Sequence, residues 1–190
     1  MTIITIFGTG KMGAAIAALA GRASAQVQSI SHREAVRKIA GDIVVLAVPY
    51  PALVGIADQY RDQLAGKTVV DITNPVDFAT FSPLSIPAGS AAQELAQSLP
   101  NSRVVKAFNT NFAGTVATGT VGNGPTLVLI AGDNAEAKTA VIDMVTRSGA
   151  LGVDAGPLTR AHQLEGLGLL QMGLAASGGL PWTGGLTLAT

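Results

Sequence analysis

The stretch "TIITIFGTGKMGAAIAALAGR", residues 2–22, sets the fold. Its opening, "TIITIF" (2–7), is short, β-branched and bounded by glycine, which reads as a strand. Its close, "KMGAAIAALAGR" (11–22), is alanine-rich and reads as a helix. Between them lies Gly8-Thr9-Gly10-Lys11-Met12-Gly13, a GxGxxG pattern. Alone the pattern is weak, but here a strand precedes it and a helix follows. In that setting Gly8 makes the tight turn, Gly10 admits a pyrophosphate close to the backbone, and Gly13 lets the helix pack on the strand. The helix N-terminus then offers free N–H groups and partial positive charge to phosphates. The plainer alternative is a glycine turn joining two elements.

Outward from this unit the pattern repeats. "QVQSIS" (26–31) reads as a second strand and "REAVRKIA" (33–40) as a helical turn or two. "DIVVLAV" (42–48) is a continuous apolar run, as in a parallel strand covered on both faces. Pro49 and Pro51 open a helix to about Leu64, and "KTVVDIT" (67–73) is the next strand. "NPVDFATFSPLSIPAG" (74–89) reads as a proline-rich loop, and Ser90 with Gln93 has capping-box spacing at the start of a helix. "RVVKAFN" (103–109), "TLVLIAG" (126–132) and "ALGVDAG" (150–156) are strands, with a helix after Asn134 between the last two. In the closing helix, Leu164, Leu167 or Leu170, and Leu174 share a face. The alternation predicts an α/β, Rossmann-like, doubly wound and mainly parallel sheet over 1–155. Residues 156–190 form a small C-terminal helical appendage of the same unit. The usual third strand and helix are missing, because only Arg33 to Gly41 fills their place.

The end of the second strand decides the nucleotide. Arg33 lies 20 residues after Gly13 (33 − 13), where an NAD-binding chain carries a carboxylate for the adenosine ribose. Here Ser31, His32 and Arg33 stand instead. Ser31 can donate to a phosphate oxygen, His32 can stack or donate, and Arg33 can fork onto a 2′-phosphate. The chemistry favours NADP(H) over NAD, and the alternative is a solvated turn.

Ligands in such sheets bind beyond the carboxyl ends of the strands. Three ends stand out: Ala47-Val48-Pro49-Tyr50, Asn74-Pro75 and Phe108-Asn109-Thr110-Asn111. Tyr50 can pack near a cofactor, and the Asn74 amide can orient a carboxamide or ribose. Asn and Pro also favour turns for their own sake. Lys106 is a candidate general acid with a structural strand lysine as its alternative. His162 reads as a partly exposed helix residue, and Trp182 as a core anchor or an aromatic wall for a planar ligand. No residue is assigned as catalytic.

Composition excludes much else. The chain of 190 residues is 48% hydrophobic and 13% charged, with 12 Lys plus Arg against 12 Asp plus Glu. That balance gives no electrostatic argument for nucleic acid or an anionic membrane surface. There is no cysteine, and the two histidines have no metal-ligand spacing. The start of the chain shows no basic segment of a secretory signal. The uncharged runs at 107–132 and 166–190 are broken by Gly, Thr, Asn or Pro. A soluble, cytoplasmic protein is expected, without a membrane span or metal. No Tyr-x-x-x-Lys dyad exists, since Val54 follows Tyr50 and Leu64 follows Tyr60 at that spacing.

"GTGKMGAAIA", "GDIVVLAVPYPAL", "GKTVVDITNPVDF", "VVKAFNTNFA" and "WTGG" together resemble the bacterial NADPH-dependent, coenzyme F420 reductase-like family. The same segments are similar to the cytosolic NADPH-binding part of transmembrane ferric reductases. The resemblance runs nearly the whole chain and implies an NADP-binding Rossmann domain, often dimeric. It implies a phosphate clamp at Ser31, His32 and Arg33. It places Val48, Pro49, Asn74, Pro75, Phe108 and Asn109 around the nicotinamide and the hydride acceptor. The expected activity is hydride transfer between NADP(H) and a planar small-molecule acceptor such as a deazaflavin or flavin. Such a transfer needs orientation and exclusion of water rather than a protein acid. The alternatives are a non-catalytic NADP-binding or sensing module, and a reductase of a small carbonyl or imine compound with Lys106 or Tyr50 as proton donor.

Overall fold

The computed structural model describes residues 2–31 and 36–188. The elements in chain order are β1 (Ile3–Phe7), α1 (Lys11–Arg22), β2 (Gln26–Ile30), β3 (Ile43–Leu46), α2 (Leu53–Leu64) and β4 (Thr68–Asp71). A short hairpin, β5 (Val76–Asp77) and β6 (Ser82–Pro83), precedes α3 (Ala91–Ser98) and β7 (Arg103–Lys106). Then come α4 (Ala113–Thr118), a second hairpin of β8 (Thr120–Val121) and β9 (Gly124–Pro125), and β10 (Leu127–Gly132). The chain continues through α5 (Ala135–Arg147) and β11 (Leu151–Gly156) to α6 (Ala161–Ala176).

Among the described residues, seven strands form one sheet in the order β11-β10-β7-β4-β3-β1-β2. All neighbours pair in parallel except β10 with β7, where Ala131 lies opposite Lys106. The mainly parallel Rossmann-like sheet expected from the alternation is thus present, with its C-terminal helix. The chain winds from β1 to β2 on one side and back to β3 on the other, so the carboxyl ends of β1 and β3 diverge at a switch point.

Period-2 alternation within the strands feeds two cores. Ile4, Ile6, Val45, Val70 and Val105 meet Ile16 and Leu19 of α1 and Val141 and Met144 of α5 on one face. Phe7, Val44, Leu46, Val69 and Val104 meet Leu53, Ala57 and Leu64 of α2 and Leu95 of α3 on the other. The predicted caps are in place: Ser90 Oγ accepts from Gln93 N, and Asn134 Oδ1 from Ala137 N at 2.8 Å. Each cap contributes about 1 kcal/mol.

Three expectations are corrected. The loop over 74–89 contains the β5–β6 hairpin. Residues 36–40 form no helix; Tyr60 Oη, Gln63 Oε1 and Gln28 Oε1 accept from the backbone N–H groups of Arg37, Ile39 and Ala40. Long side chains from α2 and β2 thereby replace helical bonding in the short connection. In α6 the buried stripe is Ala161, Leu164, Glu165, Gly168, Gln171 and Ala175, while Leu170 and Leu174 are exposed. The reason is polar chemistry beneath the helix, described next.

Candidate functional site

The glycine turn has the geometry its sequence implies. Gly8 sits at φ +108°, and a Cβ there would lie 2.1 Å from the Ala47 carbonyl oxygen. Its N–H donates to Ile30 O at 2.9 Å, and Ala47 N–H donates to Phe7 O at 2.8 Å, so the turn is fixed between the ends of β2 and β3. A Cβ at Gly13 would lie 2.1 Å from Gly8 O, whereas one at Gly10 would meet nothing within 4 Å. Gly8 and Gly13 are therefore glycines for the protein's own packing, and Gly10 leaves space open. Gly10 is also the N-cap of α1, with no side-chain cap and no acidic residue in the first turn. The first N–H groups are left for an anion, which is the fit a pyrophosphate requires.

Beyond the strand ends lies a cleft of about 840 Å³. Of the residues expected at the site, it brings together Lys11, Met12, Ala47, Val48, Pro49, Tyr50, Asn74, Phe108 and Asn109. Gly8, Thr9, Gly10 and Gly13 form the turn at its β1 side. Ser31 directly follows β2, and His32 and Arg33 lie outside the described residues. Pro75 departs from expectation: it lines a second cavity, of about 610 Å³, with Glu165 and His162. Pro75 lies directly before β5 and on the far side of Asn74 from the cleft lining of β4. His162 is exposed, with Nδ1 3.1 Å from Gly89 O.

The cleft floor is built by a pair of asparagines. Asn74 Nδ2 donates to Asn109 O at 2.8 Å, and Asn109 Nδ2 donates to Asn74 Oδ1 at 2.9 Å and to Leu164 O at 2.8 Å. Both Asn74 amide atoms bond to Asn109, so the side chain helps to hold the turn after β7. Phe108 enters that turn at φ +62°, fully buried, a conformation costing on the order of 1–3 kcal/mol. Gly168 completes the floor: a Cβ there would lie 2.7 Å from Asn109 O and 2.8 Å from the Asn74 amide. This glycine lets α6 lie directly on both turns.

Under the floor sits a buried charge cluster. Asp71 and Lys106 are register partners on β4 and β7. Lys106 Nζ donates to Asp71 Oδ2 at 2.8 Å, to Thr73 O and to Glu165 Oε1 at 2.7 Å. The Glu165 carboxylate also accepts from Ala91 N–H, tying α6 to the start of α3. Burial pushes the Glu165 carboxyl above its ordinary range, against the opposing pull of Lys106. Lys106 is wholly buried and its three protons all have acceptors, so it is not placed to protonate a substrate. Tyr50 donates to Glu94 Oε2 at 2.8 Å, and burial together with that carboxylate raises its pKa to about 12.

The outer wall is aromatic. Phe78 on the β5–β6 turn and Trp182 near the C-terminus line the cleft while remaining largely exposed. Phe112 packs on Trp182 with ring centroids 4.9 Å apart. Trp182 thus lies in the cleft wall and not in the core. Thr73, Phe78, Phe112 and Gly168 were not foreseen as cleft residues. Only Gly168 carried a signal, as a glycine inside a helical pattern. Among the described residues no group of acidic, His or Cys side chains could hold a metal, and no helix is long and apolar enough to cross a membrane.

A mainly parallel sheet with a switch point, an uncapped helix N-terminus behind a glycine turn, and a cleft over the strand ends define a Rossmann-type dinucleotide-binding protein. A family model, NADP oxidoreductase coenzyme F420-dependent, matches residues 16–75. An F420-dependent NADP reductase of Methanocaldococcus jannaschii is 30% identical over 155 residues, 79% of this chain and 68% of that protein. The chain belongs to this family. It is also 35% identical over 127 residues to the metalloreductase STEAP3 of Rattus norvegicus, 67% of this chain but only 24% of that protein. A crystal structure from Arthrobacter sp. FB24, assigned provisionally as an F420-dependent NADP reductase, shares the fold with a TM-score of 0.85, 23% identity and full coverage of both chains.

Proposed function

We propose that this protein is an NADP(H)-dependent oxidoreductase that passes hydride between the nicotinamide and a planar acceptor of deazaflavin or flavin type. Membership of the family supports the NADP-dependent oxidoreductase. The observation that carries the acceptor is the cleft itself: one 840 Å³ space runs from the α1 N-terminus, over the ends of β3, β4 and β7, to an aromatic wall of Phe78, Phe112 and Trp182. Rings of that kind offer a flat heterocycle stacking surface. Among the described residues the lining has two titratable side chains, Lys11 at the phosphate end and the Glu94-bound Tyr50. That lining suits a reaction in which the protein orients two rings and excludes water.

In this reading the turn Gly8–Gly13 and the first N–H groups of α1 hold the pyrophosphate. Ser31, His32 and Arg33 hold the 2′-phosphate. Ala47, Val48, Pro49 and Tyr50 bound the nicotinamide from the β3 end, with Asn74, Phe108 and Asn109 beneath. NADP(H), when bound, supplies or takes up hydride at nicotinamide C4. The chain's contribution is alignment, with Asn74 and Asn109 locking the floor and Gly168 letting α6 close it from below.

Anaerobic mixing of the protein and NADPH with a deazaflavin, FMN or a ferric chelate, followed by nicotinamide absorbance, tests the reading. Oxidation by the flat heterocycles is expected, and no oxidation by any of them refutes it. Arg33→Ala should weaken NADPH by about ten- to a hundredfold and leave NADH nearly unchanged. Equal losses for both would remove the clamp.

A further inference from the structure

Glu165 is more than the buried charge cluster needs. Lys106 and Asp71 are wholly buried register partners on β7 and β4, and together they already form a neutral pair. Glu165 adds a second carboxylate to the same cation, 2.7 Å from Nζ and almost wholly buried. Burial works against its charge, and Asp71 adds repulsion. A surplus buried charge stabilises a fold little or not at all. What the carboxylate supplies is a connection. Its bonds run from α6 to Lys106 on β7 and to the Ala91 N–H at the start of α3.

That connection leads to the cleft. Lys106 Nζ also donates to the Thr73 carbonyl, and Asp71 Oδ1 accepts from the Thr73 N–H at 2.8 Å. Both backbone polar groups of Thr73 are thus held by the cluster, and Thr73 lines the cleft between Ile72 and Asn74. On α6 the adjacent Leu164 carbonyl accepts from Asn109 Nδ2, and Gly168, one turn further on, lies against Asn109 and Asn74. One turn of α6, residues 164–168, therefore meets the cluster, the turn after β4 and the turn after β7. Glu165 itself lines the second cavity and not the cleft, so any effect it has on the cleft passes through Lys106 and α6.

We infer that Glu165 is a positioning residue for the cleft: by binding Lys106 it sets the height of α6 and holds the Thr73–Asn74 and Asn109 turns in register over the ends of β4 and β7. The inference rests on the proposed hydride-transfer reading, in which those turns bound the nicotinamide. A misplacement of about 1 Å at a reacting ring costs on the order of a hundredfold in rate. The plainer role is a cap on the Ala91 N–H, which would touch stability alone.

Glu165→Met keeps the length of the side chain, suits a helix and removes both bonds, while Asp71 and Lys106 stay paired. Glu165→Gln keeps an oxygen that can accept from Lys106 and Ala91. Single-turnover oxidation of NADPH by 5-deazariboflavin is followed by nicotinamide absorbance, at a temperature where circular dichroism shows each variant folded. Titration calorimetry gives affinities for NADPH and for 2′-phospho-ADP-ribose, which carries the phosphates without the nicotinamide. Glu165→Met should slow the hydride step about ten- to a hundredfold and weaken NADPH about two- to tenfold, with 2′-phospho-ADP-ribose within about twofold of wild type. Glu165→Gln should return rate and NADPH affinity to within about threefold of wild type. Three results each overturn the inference: wild-type rate and affinities in folded Glu165→Met, equal losses on both ligands, or a Glu165→Gln protein as impaired as Glu165→Met. If Glu165→Met does not fold, Glu165→Asp, one methylene shorter on the same helix, faces the same comparisons. If wild type binds NADPH but passes no hydride, the proposed reaction fails, and the affinity comparison alone decides the positioning role.

Discussion

Lys106→Met probes the buried charge cluster most directly. The substitution keeps the length and volume of the side chain and deletes the ammonium. In wild type that group supplies bonds to Asp71, Thr73 and Glu165, with Asp71 wholly buried and Glu165 nearly so. Deleting it leaves two carboxylates in a dry site with no cation. Breaking a buried pair from one side costs about 3–5 kcal/mol. For a domain of this size each kcal/mol lowers the melting temperature by about 2–4 °C, so a fall of about 6–20 °C is expected. Thermal unfolding by circular dichroism, with a urea titration to confirm the change at fixed temperature, measures it. Adding Glu165→Gln should return part of the loss, because one of the two stranded charges is removed. A fall below about 2 °C, or no recovery in the double variant, would refute the view that Lys106 neutralises this cluster.

Other outcomes follow from the same geometry. Gly13→Ala drives a Cβ into the Gly8 carbonyl and should cost at least about 2 kcal/mol in urea unfolding. Gly10→Ala meets open space, so stability should hold within about 0.5 kcal/mol while NADPH affinity, by titration calorimetry, falls at least tenfold. Because folding raises the Glu165 pKa above its ordinary 4.5, its contribution to stability is full below that pH and is lost as pH rises through the folded value. Glu165→Gln, which carries no charge at any pH, should therefore gain in melting temperature relative to wild type as pH rises from acid towards neutrality. Tyr50→Phe removes the bond to Glu94 at a cost of about 1 kcal/mol and, if no proton donor is needed, leaves the pH profile of hydride transfer unchanged.

Much of the fold was legible because its signals are local. The glycine turn, the β-branched runs of β1, β3 and β4, and the caps at Ser90 and Asn134 each act within a few residues. The cleft-lining positions from Lys11 to Asn109 followed from a topological rule, that ligands sit beyond strand ends. What stayed hidden depends on contacts across long sequence separations. Glu165 reaches Lys106 over 59 residues and Ala91 over 74, and nothing near any of them announces the others. The same partnership buries a polar stripe of α6 and turns Leu170 and Leu174 outward, opposite to what leucine spacing suggests. Residues 36–40 misled for a related reason. A helical composition there is overridden by three acceptors arriving from β2 and α2.

That last connection has a consequence for engineering. The chain is pinned just before the proposed clamp, where Ile30 O accepts from Gly8, and again after it, where Ile39 and Ala40 donate to Gln63 and Gln28. Both anchors use groups outside 31–35. A graft carrying an acidic residue there should convert the preference from NADPH to NADH while the sheet, the glycine turn and the cleft floor keep their bonds.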